Sequence, residues 1–561
     1  MDEPKILLAL LPFWNPLIPP QGISYLKGFL QARGYPVRAV DANTDAGFKN
    51  LYDRWFKILL AAIPPSRQGN SYNIGNDVWR DHMMAHLHRG DQAAYRELTR
   101  ILIAKTFYHR VDDAVIDELT ANADDFFARL EDYLSDLIAR QRPSVLGLSV
   151  FRDTLAASLY AARLAKRIDP AIKVVMGGAV FATILPLGSP NLAYFLERTT
   201  DCVDHFIIGP GEELFLRWLN GQTPPGQRVA TSAELGGRFL RPGIELLDYG
   251  DFDLASYHHQ AIAASYSCPN RCGFCNVSTY FGAYERRDPG ATVADMIALQ
   301  KRHGIQIFYM LDSLLNGVID DLAREFMASE AALYWDGYLR VDQAACDPER
   351  VHQWRRGGFY RARMGIESGS QHVLDMMGKT ITVEQSRKVI ANLAQAGVKT
   401  TAYMVIGHPG ETEDDFQRTL DFVAEMQDDI WEAESNPFTY FHTGQPHAGQ
   451  WADINLLLYP DWAKEMLLAQ TWVLDCNPSR EVMFERVNRF VALCDQLGVS
   501  TPWTLREVDQ ADRRWARLQP NAAPPLMDFI RGDHYIHECK RVGRLVAAAP
   551  QAMDDGEFDF A

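Results

Sequence analysis

Long apolar runs, basic stretches and paired cysteines are all scarce in this sequence, and each scarcity removes a class of function. No uninterrupted apolar run approaches the roughly 20 residues that a membrane-spanning helix needs. The opening, MDEPKILLALLPFW, has no basic leader and no small-residue cleavage site, so it reads as a buried strand rather than a secretion signal. Lysine and arginine number 56 against 72 aspartates and glutamates, a formal net charge of −16. Without a basic stripe such a chain is repelled by a phosphate backbone, which argues against nucleic acid as a partner. Eight cysteines in 561 residues are too few for a disulfide scaffold, so a reducing cytoplasm is the expected setting.

What is present is an ordinary globular composition, 47% hydrophobic and 23% charged, at a length that predicts about three or four domains. Residues 5–11 form an apolar run of strand length, followed by a loop with Pro12, Pro16, Pro19 and Pro20. Ile23, Leu26, Phe29 and Leu30 then recur at helical spacing, and residues 37–41 resume as a strand. Residues 43–142 read as a helical insertion. Strand runs return at 144–150, 173–176 and 205–208, predicting an α/β fold: a Rossmann-like, doubly wound parallel sheet over residues 1–221, with ligands beyond the carboxyl ends of its strands. Residues 222–250, rich in Pro and Gly, read as a linker. A second series over 251–445 has strand runs near 261–266, 306–312, 335–341, 361–366, 399–407 and 434–441. It predicts a partial (β/α)6 barrel of the TIM type, with chemistry at the strand C-termini. Residues 446–561 read as a mainly helical C-terminal domain.

Three cysteines, Cys268, Cys272 and Cys275, occupy one short loop after the first strand of the second series, in the spacing C-x3-C-x2-C. Three thiolates around a four-iron cubane leave one iron open, where four would close it. S-adenosylmethionine (SAM) can chelate such an iron through its amino and carboxylate groups, and an electron through the cluster then breaks a carbon–sulfur bond. The alternative is structural zinc, which needs a fourth ligand. His258 and His259 are near enough in sequence to supply it, although zinc ligands usually come as two separated pairs. Cys202, Cys346, Cys476, Cys494 and Cys539 are scattered and read as small core residues.

The segment Cys268 to Cys275, with Phe274 just before the third cysteine, resembles the signature of the radical SAM superfamily. Agreement continues along the barrel at FYMLDS (308–313), RMGIESGS (363–370) and VIGHPGET (405–412). The resemblance implies a [4Fe–4S] cluster on Cys268, Cys272 and Cys275. It also implies a SAM site in which Glu367 and Ser370 lie near the ribose and carboxylate and the backbone at Val405 and Gly407 packs on the adenine, completed by Phe274, Asp312, Ser313 and Arg363. Asp295 stands where relatives commonly carry Glu.

The amino-terminal series is similar to the cobalamin-binding domain that precedes the barrel in the superfamily's largest methylating branch. The matching stretches are PPQGISYL (19–26), VDAN (40–43), GLSV (147–150), MGG (176–178) and IGPGEE (208–213). The resemblance implies a cobalamin site at Pro20, Gln21, Gly22, Asn43, Ser149, Phe151, Arg152, Asp153, Gly177, Gly178, Gly209, Gly211 and Glu212. The alternative is an ordinary doubly wound sheet whose glycines only make tight turns. No Asp-x-His-x-x-Gly pattern occurs, so the cobalamin is expected base-off without a histidine ligand, its lower face covered by Phe151, Arg152 and Asp153, unless the last two simply cap the next helix.

The resemblance as a whole implies a cobalamin-dependent radical SAM methyltransferase acting on an unactivated carbon of a natural-product or peptide substrate, reduced by a flavodoxin or ferredoxin. The rivals are ring contraction, cyclisation or rearrangement with the same cofactors, and a cluster-bearing sensor without turnover. No catalytic side chain is assigned.

Overall fold

The computed structural model describes residues 5–236, 243–257, 259–329, 331–501, 505–525 and 528. His258 and Cys539 lie outside the described residues. Contacts divide the chain into two compact units: residues 1–64, 72–254 and 457–471, and residues 65–71, 255–456 and 472–561. The stretch from 446 onward is therefore shared between them. Among the described residues no helix is long and apolar enough to cross a membrane.

The first unit is built on β1 (Ile6–Leu10), β2 (Val37–Asp41), β3 (Val145–Ser149), β4 (Lys173–Gly177), β5 (His205–Ile208) and β6 (Val229–Thr231). They form one parallel sheet in the order β2-β1-β3-β4-β5-β6. All five residues of β1 are buried, as expected of a strand covered on both faces, whereas the edge strand β2 alternates. The order reverses between β1 and β3, and such a switch point opens a crevice at the carboxyl edge.

The stretch read as a linker contributes β6 and the turn at Ile244–Leu246. A Cβ on Gly28 would stand 2.0 Å from the Leu246 carbonyl oxygen, so the helix Gln21–Gln31 and this turn meet backbone to backbone. A strand of three residues is too short to leave a periodic signal.

Four long helices, Ala46–Ala62, Ser71–Leu87, Gln92–Phe107 and Asp113–Gln141, fill the gap between β2 and β3. Their apolar faces bury an aromatic core in which Trp55 and Trp79 meet edge to face at 5.3 Å and Trp79 meets Phe126 edge to face at 5.5 Å.

The second unit carries β7 (Gln260–Ile262), a short hairpin of β8 (Ser265–Tyr266) and β9 (Glu285–Arg286), then β10 (Ile307–Met310), β11 (Tyr334–Leu339), β12 (Phe359–Glu367), β13 (Lys399–Ile406) and β14 (Glu432–Pro437). Apart from the hairpin, the strands pair in parallel, neighbour to neighbour in chain order, from β7 at one edge to β14 at the other, where Glu432 makes a single parallel bridge to Ser500: a partial six-stranded barrel. The first strand is shorter than its apolar run, because residues 265–266 leave the sheet to pair antiparallel with β9. Trp335, Trp354 and Trp431 are fully buried, Trp335 stacking on Phe326 of the helix Ile319–Ser329.

Candidate active site

The cysteine loop leaves β8 and is pinned by backbone and amide contacts. Gly273 N–H donates to the Met377 carbonyl at 2.9 Å and Gly273 C=O accepts from His447 N–H at 3.2 Å, while Gln445 Nε2 donates to the Phe274 carbonyl at 2.8 Å. A side chain at Gly273 would strike the His447 ring, so glycine is required there. Cys272 is buried; Cys268 and Cys275 are half-buried. Burial pushes the Cys275 thiol above its usual range, with Cys272 and Cys268 adding to the effect.

Two donors face these sulfurs. Arg340 Nη1 lies 3.2 Å from Cys272 Sγ and Asn270 Nδ2 lies 3.6 Å from Cys268 Sγ. Arg340 sits one residue past β11, at the carboxyl mouth of the barrel, and its other nitrogen reaches Thr380 Oγ1 at 2.9 Å.

Among the described residues no three Cys, His, Asp or Glu side chains gather around a point that could hold a single metal ion. A zinc ion needs four donors at bonding distance, whereas a cubane attaches each thiolate to a different iron and spreads its ligands. His259 is buried, and that burial, with the nearby Arg363 and Arg361, lowers its pKa to about 3. The donor set fits a cluster rather than zinc.

The SAM-site residues separate into two groups. Glu367 ends β12 with φ +69°, and its carboxylate pairs with Lys379, whose ammonium also stands 5.9 Å over the Phe274 ring. That links the cluster loop to the mouth of β12. Ser313 and Val405 are half-buried near the carboxyl ends of β10 and β13. Gly407 has φ +82°, and a Cβ there would stand 2.3 Å from Met483 Cγ; its N–H donates to Glu411 Oε2 at 2.8 Å. Glu411 is in turn held by Arg486 Nη1 at 2.8 Å, from the helix Arg480–Leu497.

The other group has its polar atoms engaged within the protein. The Asp312 carboxylate accepts from Ala264 N–H at 3.0 Å and from the Ser265 hydroxyl, and burial raises its pKa to about 6. It clamps the strand that leads into the cluster loop. Ser370 is fully buried and donates to Asp415 Oδ1 at 2.6 Å. Arg363 pairs with Asp336 Oδ2 through Nε at 2.9 Å and Nη2 at 2.8 Å, inside the barrel. Asp295 pairs with Arg287.

In the first unit, the residues suggested for cobalamin collect along the carboxyl edge of the parallel sheet: Ser149 at the end of β3 with Phe151, Arg152 and Asp153 after it, Gly177 at the end of β4 with Gly178 after it, Gly209, Gly211 and Glu212 after β5, Asn43 after β2, and Pro20, Gln21 and Gly22 at the start of the helix that follows β1. Trp14 stacks on Phe151 at 4.9 Å, and Asn43 Oδ1 accepts from Trp14 N–H, tying together the loops on either side of the switch point. Gln21 Nε2 is bonded to the Tyr249 hydroxyl. Arg152 pairs with Asp77 at 3.2 Å and Asp153 at 3.3 Å, and neither caps the following helix, whose N-cap is Thr154. Gly178, with φ +115°, is needed because a Cβ would stand 2.6 Å from Val150 N and O. Burial raises the Glu212 carboxyl above its ordinary range.

Sequence reasoning passed over Arg340, Lys379 and Gln445. Arg340 had a readable signal, a cation at the predicted carboxyl end of a barrel strand; the other two are brought in from loops far along the chain, and no local pattern marks them.

Residues 262–423 match the model of the Radical SAM superfamily. The anaerobic magnesium-protoporphyrin IX monomethyl ester cyclase of Rubrivivax gelatinosus is 23% identical over 326 residues, 54% of this chain and 57% of the cyclase, so the chain spans little more than half of that relative's length. An uncharacterized methyltransferase of Pyrococcus horikoshii is 22% identical over 365 residues, 59% of this chain and 74% of the relative. Among solved structures, that of the radical S-adenosylmethionine methyltransferase TsrM from Kitasatospora setae, with cobalamin and a [4Fe–4S] cluster bound, superposes with a TM-score of 0.60 at 13% identity, covering 96% of this chain and 99% of TsrM. The two share a fold over essentially their whole length.

Proposed function

We propose that this chain is a cobalamin-dependent radical SAM methyltransferase, transferring a methyl group from SAM to an unactivated carbon of a natural-product or peptide substrate. The observation that carries this reading is the loop of Cys268, Cys272 and Cys275, pinned at Gly273 and Phe274, within a superfamily match at residues 262–423. The full-length likeness to TsrM, whose structure holds both cobalamin and a cluster, supports pairing the two cofactors in one chain.

When bound, the cluster supplies the electron that cleaves SAM, and cobalamin supplies the carrier for the methyl group. Cys268, Cys272 and Cys275 would hold the cluster and leave one iron for the amino-acid end of SAM. Arg340 donates to the Cys272 sulfur and so offsets the negative charge that reduction adds. Glu367, fixed by Lys379, would hold the ribose, and the backbone at Val405 and Gly407 would receive the adenine. Asp312 and Ser370 act by positioning the elements around that site. Ser149, Gly177, Gly209 and Glu212, at the carboxyl edge of the parallel sheet, would hold cobalamin without a histidine donor. An external flavodoxin or ferredoxin would deliver electrons.

The test is anaerobic reconstitution with iron, sulfide and hydroxocobalamin, followed by reduction in the presence of SAM labelled in its methyl group and a metabolite extract of the native host. The expected outcome is 5′-deoxyadenosine, S-adenosylhomocysteine and a product carrying one labelled methyl. Protein that binds iron and sulfide yet forms no 5′-deoxyadenosine would overturn the reading. The cyclases among its relatives favour a second reading, ring formation; 5′-deoxyadenosine without S-adenosylhomocysteine, and a product with no added carbon, would establish it.

A further inference from the structure

The inner face of the barrel is half-open and charged. Along β10 to β14, alternate residues are partly exposed while their neighbours are buried against helices: Tyr309, Tyr338, Arg363, Tyr403 and Glu434 share this inward face. Deeper in, Arg361 bonds Thr401 Oγ1 at 2.8 Å and pairs with Glu432. Arg363 pairs with Asp336 and stands 4.7 Å over the Tyr309 ring, with Nη1 reaching the Tyr403 hydroxyl at 3.4 Å. Lys399 is taken by Asp512 at 2.7 Å, and His259 is held neutral by burial and the two arginines. Among the described residues Arg361, Arg363 and Lys399 therefore each have their own carboxylate.

One carboxylate is left over. Glu434 lies two residues further toward the barrel mouth than Glu432, and among the described residues it has no cationic partner within ion-pair distance, the nearest influences being Glu432, Arg361, Arg363 and Tyr403. Arginines already neutralised by Asp336 and Glu432 attract it weakly. Burial and Glu432 raise its pKa to about 7, opposed by the two arginines and by the Tyr403 hydroxyl, which lies in hydrogen-bonding range of its carboxylate. Tyr403 neighbours Glu434 and packs against Tyr338 with ring centroids 5.8 Å apart, and aromatic rings of this kind favour a cation over an anion.

We propose that Glu434 is a specificity-determining residue that receives a protonated amine of the substrate, within a lumen lined by Tyr309, Tyr338 and Tyr403. This rests on the reading of the barrel as a radical SAM active site and adds a substrate class to it: a small amine-bearing molecule or an amino-terminal or lysine-bearing peptide segment, with the carbon to be modified nearer the cluster.

The experiment is calorimetric titration of the reconstituted holoenzyme, with S-adenosylhomocysteine filling the SAM site, using three probes of one shape: phenethylamine, 2-phenylethanol and 3-phenylpropionate. The expected order at pH 8 is amine, then alcohol, then acid, with the amine about ten-fold tighter than the alcohol. In E434Q the amine and alcohol should bind within about two-fold of each other, whereas E434D should keep part of the preference, which separates lost charge from lost fold. Equal binding of amine and alcohol by the wild type, preference for the acid, no binding of any probe, or an unchanged preference in E434Q would each overturn the proposal. Formation of 5′-deoxyadenosine by the wild type is measured separately. Its failure beside an intact amine preference would remove the reaction and leave the lumen site standing.

Discussion

Arg340 Nη1 stands 3.2 Å from the sulfur of Cys272, joining the carboxyl end of the third barrel strand to the loop that carries the three thiols. A cationic donor on a cluster sulfur stabilises the reduced, more negative state, so its removal makes reduction harder. Arg340→Leu is expected to retain the cluster, to show a more negative midpoint in an EPR-monitored redox titration, and to form 5′-deoxyadenosine at least about ten-fold more slowly. Arg340→Lys should recover part of both effects, since the charge returns without the planar fork.

Replacing any one of Cys268, Cys272 and Cys275 with alanine removes one of the three thiols proposed to hold the cluster. Iron and sulfide content after anaerobic reconstitution should fall to near zero, and 5′-deoxyadenosine formation with it. Replacing Cys202 or Cys494, both buried as small core residues, should leave iron content unchanged.

The Gly407→Ala variant meets two obstacles, a φ of +82° and Met483 Cγ at 2.3 Å from the new methyl. The backbone term alone costs about 1–3 kcal/mol, and thermal unfolding should show a clear fall in Tm. Truncating Met483 in the same chain should recover only the steric part.

The buried pair of Glu411 and Arg486 couples the loop after β13 to the helix Arg480–Leu497. Arg486→Met strands a buried carboxylate and is expected to destabilise by about 3–5 kcal/mol. The double variant Glu411→Gln, Arg486→Met should be less destabilised than the single one, as chemical denaturation in a double-mutant cycle would record.

Affinity for an amine should depend on pH with a definite sign. Glu434 must be ionised to receive an ammonium group, and its raised pKa places that ionisation at about 7. Phenethylamine binding should therefore strengthen as pH rises from 6 to 8, and the rise should vanish in E434Q. 2-Phenylethanol, carrying no charge, should bind with little pH dependence in both proteins.

Much of this was legible along the chain. Strands such as β1 and β13 are continuous apolar or alternating runs, and the thiol spacing is purely local, so both survive without knowledge of the fold. The three-residue strand β6 was not legible, because so short an element owes its place to neighbouring strands rather than to its own pattern. Nor were the partners that engage Asp312, Ser370 and Arg152, each of which looked available for a ligand when read alone.

The sequence by itself determined the periodicities that make two parallel αβ sheets and the three thiols that suit one cluster, because both are encoded within a few residues of each other. Only the tertiary structure decided which polar groups are consumed internally and which remain for chemistry. Pairings such as Arg363 with Asp336 and Arg361 with Glu432 join strands 27 and 71 residues apart. Electrostatic neutrality is settled across the lumen, not along the chain, and it is that balance which leaves Glu434 over.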